Sequence, residues 1–121
     1  MHRKVFIIED DEHMIANLSE LLEFEGFLVE STSDSRSAVD HVRSFQPHLI
    51  LSDIRLPGID GFTILDTLRL DPQTADIPFV FLSGRNDSTL IRSATEHGAN
   101  GYLVKPFDIR QLLTLIDHLL V

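Results

Sequence analysis

Five short apolar runs punctuate the chain: Val5–Ile8, Phe27–Val29, Leu49–Leu51, Phe79–Leu82 and Tyr102–Val104. Each is rich in β-branched or aromatic residues and bounded by polar or turn-forming ones, which predicts a strand. Four of the five are nearly continuous rather than alternating, the pattern of strands covered on both faces.

Helical spacing fills the intervals. Met14, Ile15, Leu18, Leu21 and Leu22 share one helical face, and Gly26 follows as a stop. Ala38, Val39, Val42 and Phe45 form a second stripe before the breaker Pro47. Phe62, Ile64, Leu65 and Leu68 give a third helix after Gly61, and Leu90, Ile91 and Ala94 a fourth that ends at Gly98. The clearest is the fifth, with Ile109, Leu112, Leu113, Ile116, Leu119 and Leu120 on one side. Asp108 and Gln111, three apart at its start, match a variant capping box. Leu115 falls off the main stripe and is expected to be surface or edge packing.

Strand and helix thus alternate five times, which predicts an α/β fold of (βα)5 type: a parallel sheet with helices on both faces. No linker, low-complexity tract or further repeat interrupts the 121 residues. One domain over residues 1–121 is expected.

Composition narrows the function classes. Hydrophobic residues at 43% and charged residues at 24% suit a globular domain rather than a disordered or fibrous chain. Nineteen acids against 10 bases leave a net charge of −9, with no basic stripe to displace counterions from phosphates. Direct nucleic-acid binding by this segment is not expected. The absence of cysteine removes disulfides, thiolate metal sites and thiol nucleophiles. The apolar runs are far too short to span a membrane, and the first residues lack the apolar region of a secretion signal. The expectation is a cytoplasmic, soluble chain with no membrane association.

In an open parallel sheet, sites form outside the carboxyl ends of the strands. Strand one is followed by Glu9, Asp10 and Asp11; strand three by Ser52 and Asp53; strand four by Ser83; strand five by Lys105 and Pro106. Glu30 and Ser31, after strand two, are placed away from this cluster. Gathered carboxylates repel one another, and a hard divalent cation such as Mg²⁺ offsets that cost. A carboxylate beside such an ion can attack phosphorus, while a lysine and a hydroxyl meet the other phosphoryl oxygens.

Each motif also has a plainer explanation. "EDDE" suits a solvated helix start, where acids meet the helix dipole favourably. "LPGIDG" suits a turn, Ser83 a loop serine, and Lys105 a solvent lysine. Their joint placement at one sheet edge is what favours a site. The six histidines, His2, His13, His41, His48, His97 and His118, have no metal-ligand spacing.

Over nearly its whole length the chain resembles bacterial two-component receiver domains, through "KVFIIEDDE", "LILSDIRLPGIDGF", "FVFLSG" and "GANGYLVKPFD", in order and each at a predicted strand end. The resemblance implies a flavodoxin-like sheet of order 2-1-3-4-5. It implies Asp53 as phosphoacceptor, with Ser83 and Lys105 completing the catalytic set. Mg²⁺ (or Mn²⁺) would be held by Glu9, Asp10, Asp53 and the backbone carbonyl of Arg55, with Asp10 the direct ligand of the acidic pair. Ser83 and Tyr102 would be the switch residues, and the Lys105–Pro106 bond would be cis.

Some positions depart from the family's commoner residues. Glu9 stands where Asp is frequent, and its longer arm suits a water-mediated contact. Ser83 replaces threonine and is less restrained at χ1. Arg55 and Arg85 occupy positions that tune hydrolysis in the family; either is expected to reach over the phosphate and shield it, the alternative being that both lie in solvent or pair with local acids. The partners implied are a sensor histidine kinase or phosphotransfer protein and a downstream effector, through the helix 4–strand 5–helix 5 face, with phosphorylation-dependent homodimerisation a further option. The alternative is a degenerate receiver used for docking, against which the retention of Asp53, Ser83 and Lys105 argues. A flavodoxin-type carrier fits poorly, because acids after strand one would repel a flavin phosphate. No GxxxxGK[ST] loop occurs, which excludes a P-loop nucleotidase.

Overall fold

The structure, a computed structural model, describes residues 3–120. His2 lies outside the described residues. Strands β1 (Lys4–Ile8), β2 (Leu28–Thr32), β3 (Leu49–Asp53), β4 (Phe79–Ser83) and β5 (Gly101–Val104) alternate with helices α1 (Glu12–Phe24), α2 (Ala38–Phe45), α3 (Gly61–Leu70), α4 (Ser88–Glu96) and α5 (Ile109–Leu119). All strand pairs are parallel, in the order β2-β1-β3-β4-β5. The expected fold and strand order are both found.

Strand alternation splits the core in two. Phe6, Ile8, Ile50, Phe79 and Phe81 point to one face and pack with Ala38, Val42, Ile64, Leu65, Leu68 and Ala94 of α2, α3 and α4. Val5, Ile7, Leu49, Leu51, Val80 and Leu82 point to the other and pack with Leu18, Leu22, Leu112 and Ile116 of α1 and α5. Right-handed crossovers produce this division. The chain steps one way from β1 to β2 and the opposite way thereafter, so α2, α3 and α4 lie on the face opposite α1.

The helix ends follow their local chemistry. Asp11 Oδ1 accepts the amides of His13 and Met14 at 3.0 and 3.3 Å, capping α1. The helix closes in a Schellman arrangement: Gly26, at φ 97°, donates to Glu23 O and Phe27 to Leu22 O. The capping box on α5 forms, with Asp108 and Gln111 bonding each other's backbone amides.

Three expectations shift. β2 runs from Leu28 to Thr32 rather than Phe27 to Val29, so Glu30 and Ser31 lie within the strand. It is an edge strand, and its amides follow the pairing with β1 rather than its own hydrophobicity. β5, the other edge, is half-buried along its length instead of covered on both faces. Leu21, placed on the buried face of α1, is 46% exposed, and the stripe narrows to Leu18 and Leu22. Leu115 is edge packing, its methyls filling the space where Gly101 lacks a side chain. No helix among the described residues is long and apolar enough to cross a membrane.

Candidate functional site

The direction of strand connections reverses between β1 and β3, and a crevice opens at their carboxyl ends. Asp53 is the last residue of β3 and Ser83 the last of β4; Glu9 and Asp10 directly follow β1, and Lys105 directly follows β5. One carboxylate oxygen each from Glu9, Asp10 and Asp53 lie within 4.8 Å of one another. Asp10 is exposed and Glu9 is buried at 2% exposure.

Lys105 holds this cluster together. Its Nζ donates to Glu9 Oε1 at 3.0 Å and to Asp53 Oδ2 at 3.3 Å. Its backbone amide donates to Ser83 O at 2.7 Å, tying β5 to the end of β4. The Lys105–Pro106 peptide is cis, as the resemblance implied. Asp53 Oδ1 accepts the Ile54 amide at 2.9 Å. These bonds fix both oxygens of the Asp53 carboxylate.

Three carboxylates gather around one amine that bonds only two of them, Glu9 and Asp53, so the cluster carries excess negative charge. Burial pushes the Glu9 carboxyl up to about 7, and the Asp53 charge adds to that rise while the Lys105 bond opposes it. Burial alone would lower the Lys105 ammonium. The hydrogen bond to Glu9 and the charges of Asp53 and Glu9 outweigh it and hold the amine above its ordinary range. Glu9 Oε2 is the one buried side-chain polar atom among the described residues without a hydrogen-bond partner. An unpaired buried carboxylate oxygen beside two further carboxylates fits a divalent cation, which would supply the missing partner and neutralise the excess charge.

Around this centre the other expected residues take separate places. Ser83 is 6% exposed, and its hydroxyl accepts the Arg85 amide at 3.1 Å. Tyr102 Oη donates to the Arg85 carbonyl at 2.8 Å, while its ring packs against the α2–α4 side of the core. Arg85 pairs with Asp87 at 3.0 Å rather than with any carboxylate of the cluster. Arg55 is exposed, and neither its carbonyl nor its guanidinium has a partner among the described residues.

Residues 5–117 match the response regulator receiver domain family. The chain belongs to that family. Across 97% of its length this receiver is 35% identical to the DNA-binding dual master transcriptional regulator RpaA of Synechocystis, and it spans about half of that protein, 48%. It superposes on the Vibrio cholerae chemotaxis protein CheY4 with a TM-score of 0.92 at 26% identity, covering 98% of this chain and 99% of the other. The N-terminal domain of the nisin resistance regulator NsrR, a lantibiotic response regulator, matches over the full length of both chains at 31% identity and a TM-score of 0.87. The receiver is thus similar to response regulators of two-component signalling, a family that works with histidine kinases and effector domains.

Two residues that shape the receiver's site escaped the sequence reading. Gly61 opens α3 directly against Asp53: a Cβ there would collide with the Asp53 carbonyl and approach the Phe81 ring to 2.8 Å. Asp87 holds Arg85 and caps α4 through its other oxygen. Its sequence signal, an acid just before a helical stripe, was present; the reading gave α4 no cap. Of the histidines, His41 meets Glu30, His97 meets Asp66 and His48 Nδ1 accepts the Lys4 amide.

Proposed function

We propose that Asp53 accepts a phosphoryl group from a sensor histidine kinase or phosphotransfer protein, with Mg²⁺ or Mn²⁺ bound at Glu9, Asp10, Asp53 and the Arg55 carbonyl. The observation that carries this reading is the shared Lys105 amine, 3.0 Å from Glu9 and 3.3 Å from Asp53, beside the unpartnered Glu9 Oε2. When bound, the divalent ion offsets negative charge on the phosphoryl group during transfer.

The chain's own residues do the rest. An Asp53 oxygen bonds phosphorus as the bond to the donor nitrogen breaks, and the electron pair returns to the donor imidazole. Lys105 exchanges a carboxylate partner for a phosphoryl oxygen, and its fixed amine keeps that oxygen oriented. The Ser83 hydroxyl, which accepts from Arg85, is free to donate its own proton to another phosphoryl oxygen. Gly84 leaves open space beside it for the approaching donor.

The output is a change in partner preference at the α4–β5–α5 face, toward an effector or a second copy of the chain. α4 suits this role because Ala94 is its only buried residue, so little packing opposes its displacement. Moving such a two-state element from mostly off to mostly on takes about 5.5 kcal/mol of differential stabilisation. The DNA-binding output of RpaA belongs to that longer protein; the charge of −9 disfavours nucleic-acid contact by this segment.

Intact-mass measurement after treatment with acetyl phosphate and Mg²⁺ tests the reading. One phosphoryl group is expected on the native chain and none on Asp53→Asn. Equal labelling of both proteins, or of neither, overturns it. Beryllofluoride with Mg²⁺ should alter effector binding or self-association; no change in either removes the switch.

A further inference from the structure

Arg85 sits at the junction of the candidate switch. Its amide donates to Ser83 Oγ, its carbonyl accepts from Tyr102 Oη, and both contacts hold its backbone. Freedom remains in the side chain, which is 55% exposed. That side chain is directed by Asp87. Asp87 Oδ1 accepts the amides of Thr89 and Leu90 at 3.0 and 3.3 Å, which immobilises the carboxylate on the first turn of α4. The remaining oxygen, Oδ2, accepts from Arg85 Nη2 at 3.0 Å.

We propose that Asp87 is a positioning residue: by pairing with Arg85 it holds that guanidinium at the start of α4, and it thereby shortens the life of a phosphoryl group on Asp53. The inference rests on the phosphoacceptor reading and deepens it. In hydrolysis a water oxygen bonds phosphorus and the bond to the Asp53 oxygen breaks. The electron pair returns to the carboxylate, and both of the water's protons leave on inorganic phosphate. An Arg85 guanidinium laid over the phosphoryl oxygens blocks the water's approach; one held by Asp87 does not. The two anions compete for one cation. An exposed ion pair biases such a choice by no more than about five-fold, which bounds the effect.

Asp87→Asn separates the two duties of this side chain. Asparagine caps a helix as well as aspartate does, so the melting temperature should hold, while the charge that retains Arg85 is lost. The experiment follows loss of phosphoryl mass after acetyl phosphate is removed, in the native chain, Asp87→Asn, Arg85→Ala and the double variant. Asp87→Asn is expected to lengthen the lifetime about two- to five-fold where Arg85 is present, and to leave it unchanged against Arg85→Ala alone. An unchanged or shorter lifetime in Asp87→Asn, or equal lengthening in both backgrounds, overturns the assignment. If the native chain never gains phosphoryl mass, the phosphoacceptor reading itself fails and this one falls with it.

Discussion

The Lys105 ammonium lies 3.0 Å from Glu9 Oε1 although 96 residues separate the two in the chain. Asp53 shares the same amine. A lysine placed there neutralises part of the cluster and also competes with any divalent ion for the same oxygens.

That competition has a measurable consequence. Lys105→Met should tighten Mg²⁺ binding, by about five-fold or more, because one cation no longer opposes another. The same variant should gain phosphoryl mass from acetyl phosphate at least about ten-fold more slowly, since an oriented donor to the phosphoryl oxygens is gone. Calorimetric titration and time-resolved mass measurement read the two effects separately. Weaker Mg²⁺ binding would mean that the amine organises the carboxylates more than it repels the ion.

The raised Glu9 carboxyl makes the metal-free protein sensitive to pH. Its folded pKa, about 7, lies above the ordinary carboxylate range. Between those values the folded state binds more protons than the unfolded one, so stability falls as pH rises through the window. The loss is on the order of 1–3 kcal/mol, complete above pH 7 or so. Melts in a chelator at pH 5.5 and pH 8 should show this decline. Glu9→Gln should flatten it, and Mg²⁺ should raise the melting temperature more at pH 8 than at pH 5.5.

Gly61 admits no side chain. Gly61→Ala drives a methyl into the Asp53 carbonyl and the Phe81 ring, both held in central strands. A loss of about 1–3 kcal/mol is expected in denaturant titration, with slower phosphorylation because the end of β3 must shift. Unchanged stability would show that α3 can slide outward freely.

Arg69 closes the opposite end of the sheet. Its guanidinium donates to the carbonyls of Ala75, Ile77 and Gly98 and to Asn100 Oδ1, joining α3 to the loops that precede β4 and β5. Arg69→Met should cost about 2–4 kcal/mol by leaving several acceptors unpaired. Arg69→Lys should recover only part of it, since an ammonium cannot reproduce the planar fork. Thermal melts of both variants provide the comparison, and full rescue by lysine would assign the effect to charge alone.

The sequence by itself determined the alternation of strands and helices, because burial on two faces demands continuous apolar runs and burial on one demands a helical stripe. It also placed Asp53, Ser83 and Lys105 at strand ends, since each interrupts or closes an apolar run. What only the tertiary structure decided are the relations between distant segments. The limits of β2 came from hydrogen bonding to β1, the exposure of β5 from its place at the edge, and the need for glycine at position 61 from the approach of another strand. The partner of Arg85 and the orphaned oxygen of Glu9 belong to the same class. Periodicity along a chain records which way a side chain faces; it holds no record of which other side chain it meets there, and charge, strain and chemistry depend on that meeting.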